Sequence, residues 1–380
     1  MKHVIVVGVC YLDTILSVPH FPEEDSKLRA TSSQVRRGGN CGNTLEVLQQ
    51  LLRGGGGNSS KAGTVQPQLH LLSPLPDASS PAAAQILNSF QQSGSGGGDD
   101  GCSGVGSELC LHRAGVALPA SSYIIRSEAT GSRTIVNQMP LAEMTEDEFA
   151  GAVAAFAAAS NSRKAAEDDK SWWHFEGRIP ETTLWCIRHL RRVLPSATVS
   201  VEVEKPGREG LSELAAEADV VFYSKSWAEA SQTFEFPPLP PPPLADHERF
   251  EGVVGMHVCG GVASRFFVTW GAEGASAFST HGQEYRFCAV KDVAAGDYEV
   301  VDTIGAGDTF IAGVIFDLFC KDGGDEDEGR DLQDTLRFAV GLATRKVQID
   351  GFGDLGGQAG AGTGAGAGNG VGAGADAGCE

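Results

Sequence analysis

The sequence is poor in positive charge and in long apolar runs. Its 29 Lys and Arg residues stand against 49 Asp and Glu residues, which gives a formal net charge of −20 over 380 residues. A protein this acidic repels phosphate backbones, so nucleic acids and anionic membrane surfaces are excluded as partners. No apolar run reaches the roughly 18 residues that a membrane span needs. Any bound phosphate must therefore be held by a few local donors.

Several catalytic and metal-binding signatures are also missing. No two of the nine cysteines have the C-x-x-C spacing of a zinc or redox site. No glycine is followed by lysine, so the Walker phosphate loop is absent, and neither H-E-x-x-H nor G-x-S-x-G occurs. The N-terminal segment lacks the cleavage pattern of a secretory signal. These absences favour a reduced, cytoplasmic protein.

Glycine, in contrast, is abundant, and much of it lies in runs that cannot build a core. It supplies 50 of the 380 residues, against a usual share of about 7%. We predict low-complexity insertions at about 54–68, 91–107 and 237–243, and a disordered Gly/Ala-rich tail over 356–380. Residues 1–355 then form a single domain.

Strand patterns alternate with helix patterns along this domain. Continuous apolar, β-branched runs are typical of strands buried on both faces of a parallel sheet, and they cover 3–9, 198–203, 219–223 and 265–269. Helical periodicity occurs at 44–52, 146–159, 181–193, 210–216, 309–319 and 331–347. The alternation predicts βαβ units and a mostly parallel, doubly wound α/β sheet.

Two segments, 14–37 and 122–138, alternate polar and apolar residues instead, as half-exposed strands do. We place them in a small β lid at the edge of the sheet. Ligands of open α/β sheets lie beyond the carboxyl ends of the strands, so a lid there would cover the ligand.

The most informative segment is Asp302-Thr303-Ile304-Gly305-Ala306-Gly307-Asp308, which joins a strand end to an apolar helix. Its small residues Gly305, Ala306 and Gly307 let a ligand approach the backbone. The free N–H groups of the helix start and the helix dipole then form an anion hole without a basic side chain. Asp308 stands beside this hole and could take a proton from an attacking hydroxyl. It could equally cap the helix, which is the commonest role of Asp at that position.

A second glycine turn, ending at Gly39, precedes another helical run. The amides of Asn40 and Asn43 are three residues apart and could bind vicinal hydroxyls, as polyol recognition requires. Alternatively, Asn40 caps the helix after an ordinary glycine turn. Asp13 after the first strand and Asp25 in the lid are further acceptor candidates, although each by itself is more often a turn residue.

Three further places could contact a phosphate or a metal ion. Arg133 lies in the lid segment, where it could clamp a phosphate or remain at the surface. A glycine turn after a strand could wrap a nucleotide or form only a hairpin; it comprises Gly271, Ala272, Glu273 and Gly274. Acids at strand ends are weak candidates for holding hydrated Mg²⁺, and solvated strand ends are the commoner outcome; they are Glu176, Glu202 and Glu204.

These segments together resemble the ribokinase-like (PfkB) family of carbohydrate kinases. Residues 302–308 resemble its D-T-x-G-A-G-D signature, and Gly38-Gly39-Asn40-x-x-Asn43 resembles its N-terminal sugar motif. Collinear stretches from residue 4 to about 353 are similar to the ketohexose kinases of that family. They include Gly131-Ser132-Arg133-Thr134-Ile135, His174-Phe175-Glu176-Gly177-Arg178 and Glu202-Val203-Glu204-Lys205-Pro206.

The resemblance implies a three-layer α/β/α sandwich with a β lid, and ATP-dependent phosphorylation of a ketohexose, with D-fructose to fructose 1-phosphate as the leading case. It also implies Mg²⁺, carried by water and the ATP phosphates, and a homodimer formed through the lid. The residues it assigns are Asp13, Asp25, Gly39, Asn40 and Asn43 for sugar, Arg133 and Gly271–Gly274 for ATP, Gly305–Gly307 for the anion hole and Asp308 as base. Two alternatives stay open: a related kinase acting on ribose, another sugar or a nucleoside, and a catalytically silent binding protein of the same fold.

Overall fold

A mostly parallel sheet organises the chain. The computed structural model describes residues 1–54, 66–92, 104–161, 169–231, 262–294, 296, 298–321 and 331–358. The strands in chain order are β1 (Lys2–Val7), β2 (Tyr11–Val18), β3 (Ser32–Gly38), β4 (Gln68–Leu72), β5 (Pro74–Leu75), β6 (Leu111–His112), β7 (Ala120–Ser127), β8 (Arg133–Gln138), β9 (Lys170–Phe175), β10 (Thr198–Val203), β11 (Val220–Tyr223), β12 (Arg265–Thr269), β13 (Gly274–Ser279) and β14 (Glu284–Ala289). The helices are α1 (Asn40–Gly54), α2 (Pro81–Gln92), α3 (Glu146–Asn161), α4 (Pro180–Val193), α5 (Leu211–Glu217), α6 (Lys225–Ser231), α7 (Ala306–Ile315) and α8 (Leu332–Lys346).

The central sheet has the order β14-β13-β12-β11-β10-β9-β1-β4. Its strands from β12 to β4 pair in parallel, whereas β13 and β14 add an antiparallel hairpin at one edge. Each of the four predicted apolar runs forms a strand here. The predicted mostly parallel α/β sheet is therefore confirmed.

Hydrophobic cores lie on both faces of this sheet because successive residues of a strand point to opposite sides. Val4 and Val6 of β1 join the core that α1, α2, α7 and α8 cover. Ile5 and Val7 join the core beneath α3, α4, α5 and α6. The result is three layers with the sheet in the middle. Among the described residues, no helix is long and apolar enough to cross a membrane.

A second sheet has the order β3-β2-β7-β8, and we call it the lid. It is built from the two segments with alternating polarity. Asp13, Ser122 and Asn137 are in register across β2, β7 and β8, so they lie on one face of the lid. That face turns towards the carboxyl ends of the parallel strands.

The predicted low-complexity segments are shorter than the sequence indicated. The Gly106 N–H donates to the Leu69 carbonyl at 2.8 Å, and its carbonyl accepts from the Leu71 N–H at 2.9 Å. Because β4 is an edge strand with free backbone groups, the end of the 91–107 segment adds to the sheet, and Gln68 already belongs to β4. Residues 356–358 form part of a 3₁₀ turn that Leu355 anchors on α1. The 237–243 segment and the rest of the insertions and tail lie outside the described residues.

Candidate active site

A cleft of about 470 Å³ lies between the lid and the carboxyl ends of the parallel strands. This is where an open α/β sheet binds its ligands. Most of the residues singled out from sequence line it: Asp13, Gly39, Asn40, Asn43, Arg133, Glu176, Glu202, Glu204, Gly305, Ala306, Gly307 and Asp308. They come from lid, sheet and helix, and only the fold brings them together.

The start of α7 presents its backbone to the cleft. Gly305 occupies the N-cap position with φ +77°, and a Cβ there would overlap the ring of Phe352. The first helical hydrogen bond runs from the Thr309 N–H to the Gly305 carbonyl at 2.9 Å, so the amides of Gly307 and Asp308 have no partner within the helix. A Cβ at Gly307 would meet nothing within 4 Å. The first turn of α7 is thus open for an anion.

Asp308 is the third residue of α7 and does not cap it, because Gly305 holds that position without a side-chain bond. Its carboxylate is only 8% exposed, and its Oδ2 accepts a hydrogen bond of 2.7 Å from Asn43 Nδ2. Burial raises the pKa of Asp308 well above its usual value, the charge of Glu202 acts in the same direction, and the Asn43 hydrogen bond opposes both. A carboxylate with a raised pKa is a stronger base when it is ionised.

Asn43 is itself held from the other side. The Arg37 Nη1 donates to Asn43 Oδ1 at 3.4 Å, and Arg37 also pairs with Glu46 and lies over the ring of Phe90. With Oδ1 bound to arginine, the Asn43 amide nitrogen faces the carboxylate of Asp308. Arg37 was not among the residues that sequence patterns indicated.

Asn40 begins α1, but its side chain does not cap that helix. Its Nδ2 donates to Glu202 Oε2 at 2.8 Å, and Glu202 Oε1 lies 3.0 Å from His174 Nε2. Burial raises the pKa of Glu202 to about 8, with the hydrogen bond from Asn40 acting against the rise. The amide oxygen of Asn40 is the atom left for a ligand in the cleft.

Asp13 lies on the cleft face of the lid beside the glycine turn. It is buried, and its Oδ1 has no hydrogen-bond partner within the described part of the chain. A Cβ at Gly38 would overlap this carboxylate, so the glycine makes room for it. Burial raises the pKa of Asp13, which Ser122 and Arg36 counteract. A buried acceptor atom without a partner is what a sugar hydroxyl would satisfy.

The carboxylate of Glu176 binds backbone N–H groups of two different segments. Its carboxylate accepts from the Val9 N–H at 3.2 Å and from the Cys41 N–H at 2.9 Å, so it ties the end of β1 to the start of α1. Burial raises its pKa to about 7, and the charge of Glu202 adds to this. Position 8 is occupied by glycine, and a Cβ at that position would overlap the Glu176 side chain.

No protein cage for a metal ion is visible in the described residues: no group of three or more His, Cys, Asp or Glu has the right arrangement. Two of the weak candidates, Glu176 and Glu202, have both oxygens bonded to protein donors. Asp13, Glu204 and Asp308 are the carboxylates that face the cleft without that saturation. This donor set fits Mg²⁺ held mainly by nucleotide phosphates and water, the usual arrangement for that ion.

Basic side chains counter the acidity of the cleft. Arg133 reaches from the lid to Thr303, with 2.6 Å between Nη1 and Oγ1, directly ahead of α7. Lys205 and Arg208 line the opposite wall and follow the carboxyl end of β10. Sequence patterns did not indicate these two as site residues, although a position just past a parallel strand was the available signal.

Two predicted elements lie apart from the cleft. Asp25 is exposed in the β2–β3 connection with φ +56° and does not line it. The glycine turn folds as a 3₁₀ turn, Gly271–Glu273, between antiparallel strands β12 and β13, and its Glu273 pairs with Lys225 at 2.9 Å. The turn thus connects the two strands of a hairpin. Contact of Asp25 with sugar and of the turn with ATP stay predictions.

Comparison with known proteins gives concordant matches. A family model described as pfkB family carbohydrate kinase matches residues 103–354. A ketohexokinase from Mus musculus is 28% identical over 358 residues, covering 92% of this chain and 98% of that protein. The structure of Arabidopsis thaliana ribokinase complexed with ribose and ATP aligns with a TM-score of 0.60 at 18% identity, covering 92% of this chain and 93% of that one. Ribokinase from Cryptococcus neoformans var. grubii serotype A in complex with ADP aligns with a TM-score of 0.60 at 15% identity, covering 93% and 96%.

Proposed function

The chain belongs to the pfkB family of carbohydrate kinases, with a ribokinase-like α/β fold, and we propose that it transfers the γ-phosphoryl group of ATP to a hydroxyl of a ketohexose. The leading case is D-fructose, giving fructose 1-phosphate, and the similarity to a mouse ketohexokinase supports that choice. The observation that carries the proposal is the carboxylate of Asp308 in the cleft beside the free amides of α7.

Asp308 acts as the general base. Its Oδ atoms accept the proton of the attacking hydroxyl while the new O–P bond forms and the bond to the ADP leaving group breaks. The transition state is loose and its charge spreads over the phosphoryl oxygens, so catalysis consists mainly of positioning and electrostatic stabilisation. The raised pKa of Asp308 makes its ionised carboxylate a stronger base towards the hydroxyl proton.

The first turn of α7 and the basic side chains around it bind the migrating group. The amides of Gly307 and Asp308 provide fixed dipoles, and Arg133 and Lys205 supply charge that the acidic protein otherwise lacks. Mg²⁺ enters with ATP and neutralises phosphate charge when bound. Arg133 also fastens the lid to Thr303, which excludes water from the reacting groups.

Asp13, Gly39 and Asn40 form the acceptor side of the site. The unpartnered Oδ1 of Asp13 accepts a hydrogen bond from one sugar hydroxyl, and the amide oxygen of Asn40 accepts one from another. Asn43, whose two amide atoms bind Arg37 and Asp308, acts mainly by orienting the base.

The test is a substrate panel with the full chain. Purified protein is incubated with ATP and Mg²⁺ and with ketoses, aldoses and nucleosides, and ADP release is measured. We expect D-fructose to give the highest kcat/KM. Preference for ribose or a nucleoside would identify a different kinase of the family, and sugar binding without ADP release would identify a silent binding protein.

We also propose a homodimer through the lid. Val35, Thr14, Tyr123 and Val136 are in register across its four strands, on the face opposite the Asp13 row. Three of these are apolar and largely exposed: Val35 by 51%, Tyr123 by 47% and Val136 by 59%. A second copy of the lid would cover this row.

A further inference from the structure

A buried chain of hydrogen bonds leads from the middle of the sheet to the cleft. The Trp172 indole N–H donates to Ser200 Oγ at 2.8 Å, and Ser200 Oγ lies 2.8 Å from His174 Nδ1. His174 Nε2 lies 3.0 Å from Glu202 Oε1, and Glu202 Oε2 accepts from Asn40. Trp172, Ser200, His174 and Glu202 are all buried, while Asn40 opens on the cleft.

The direction of the hydrogen bonds follows from the carboxylate end. An ionised carboxylate can only accept, so His174 carries its proton on Nε2 and donates it to Glu202 Oε1. The unprotonated His174 Nδ1 then accepts from the Ser200 hydroxyl, whose oxygen also accepts the Trp172 indole N–H. Burial lowers the pKa of His174 to about 4, which keeps the imidazole neutral and suits this single tautomer. We call Trp172, Ser200, His174 and Glu202 the relay.

We propose that this relay positions the acceptor sugar: it fixes the carboxylate of Glu202 so that Asn40 must turn its amide oxygen to the cleft and accept a hydrogen bond from a substrate hydroxyl. The inference rests on the proposed function, because it takes the ligand of Asn40 to be a sugar whose hydroxyl donates a hydrogen bond. Strand register makes the relay rigid, because Ser200 of β10 and His174 of β9 are direct partners in the parallel ladder. An Asn40 free to rotate would present either its oxygen or its nitrogen, and the site would lose discrimination.

The test is Ser200→Ala, which removes the hydroxyl that holds His174 Nδ1 in place and touches neither ligand. The variant is assayed above pH 8, because Glu202, with a pKa of about 8, is then mostly ionised. We expect KM for D-fructose to rise about tenfold, the scale of one lost polar contact, while kcat and KM for ATP stay within about twofold. The dissociation constant of D-fructose, measured by calorimetry without ATP, should rise by the same factor.

A matched control exists in the same sheet. The Trp270 indole N–H donates to Ser276 Oγ at 2.8 Å, and Ser276 is as buried as Ser200. Ser276→Ala therefore removes an equivalent buried hydrogen bond that has no path to Asn40. We expect it to lower the melting temperature by a similar amount and to leave KM for fructose unchanged.

The decisive measurement combines Ser200→Ala with Asn40→Ala. If the relay acts through Asn40, Ser200→Ala has no further effect on fructose affinity once Asn40 is truncated. The proposal is overturned if the two effects add, if Ser276→Ala weakens fructose binding as much, or if Ser200→Ala changes nothing. These outcomes leave the proposed function standing, whereas a wild-type chain that neither binds nor phosphorylates any sugar overturns both.

Discussion

Asn43 donates a 2.7 Å hydrogen bond from its Nδ2 to Oδ2 of Asp308, although 265 positions separate the two residues. This contact links the glycine turn before α1 to the glycine turn before α7. Arg37 holds the other amide atom of Asn43, and Asp308 belongs to the first turn of α7. The polyol motif and the anion-hole motif are therefore coupled directly through the proposed base.

Asp308→Asn tests the base itself. The amide keeps the size of the carboxylate but cannot accept the proton of the attacking hydroxyl, so we expect kcat to fall by about 100-fold or more. Sugar affinity, measured by calorimetry, should stay within a few-fold of wild type. Turnover near the wild-type value would refute the assignment of Asp308.

Asn43→Ala tests whether the hydrogen bond from Asn43 lowers the pKa of Asp308. The hydrogen bond from Asn43 favours the ionised form of Asp308 and lowers its pKa against the effect of burial. Without that bond the pKa rises further, so the acidic limb of the kcat/KM profile should move to higher pH, and raising the pH should recover part of the lost activity. Asn137→Ala is the control, because Asn137 lines the cleft from the lid and forms no hydrogen bond with Asp308 in the described part of the chain. An unmoved acidic limb in Asn43→Ala would contradict this account.

Sequence patterns predicted those parts of the site whose residues follow one another along the chain. The turn from Asp302 to Asp308 is readable because glycines, a strand end and a helix start follow one another directly. The contacts of Asp308 with Asn43 and of His174 with Ser200 are not readable in this way, since strand order and register bring them together. Lys205 enters the cleft for the same reason.

The errors in the predicted fold have equally local causes. Strand β4 was missed because His70 interrupts a short apolar run, and the β13–β14 hairpin was missed because each strand has only one or two large apolar residues among small and polar ones.

Gly305→Ala and Gly307→Ala separate folding from phosphate binding. Alanine at Gly305 must adopt φ +77° and would overlap Phe352, so we expect a loss of about 2 kcal/mol or more in unfolding free energy. Alanine at Gly307 meets nothing and suits a helix, so stability should stay equal or rise by up to about 1 kcal/mol. Its methyl group instead enters the anion hole, and kcat/KM for ATP should fall at least about tenfold. Urea unfolding and ADP release measure the two effects, and equal activity in Gly307→Ala and wild type would argue against the anion hole.

Val136→Asp tests the homodimer. The substitution places a charge in the exposed apolar row of the lid, on the face away from the cleft. Burying that charge in a lid–lid interface would be costly, so we expect sedimentation to show monomers where wild type shows dimers. Glu213→Gln on α5 is the control, because it alters charge far from the lid. Thr134→Asp does not serve as a control, because Thr134 lies on the same face of the lid as Val136. A wild-type chain that sediments as a monomer would end this proposal.

Lys346 supports the turn that carries the anion hole. It is fully buried on α8, and its Nζ donates to the carboxylate of Asp302 at 3.1 Å and to the Asp302 carbonyl at 3.0 Å. Burial raises the pKa of Asp302, but the Ile304 N–H, Lys346 and Arg36 outweigh it and hold that pKa below its usual value. The ionised carboxylate thus stabilises the fold at neutral pH, and its contribution is lost as the pH falls through the depressed pKa.

Lys346→Met removes one partner of this buried pair, and we expect it to lower the unfolding free energy by about 3 kcal/mol, the lower part of the usual range because Arg36 still pairs with Asp302. Asp302→Asn leaves the ammonium buried without its counter-charge and should cost at least as much. The double variant should recover part of the loss, because the fully buried ammonium is gone and Arg36, which loses Asp302, still lies 3.8 Å from the carboxylate of Asp350. Urea unfolding of the four proteins gives the coupling free energy directly. Strictly additive losses would mean that Lys346 and Asp302 stabilise the turn independently, and the first turn of α7 would then owe its position to the backbone bonds of Asp302 alone.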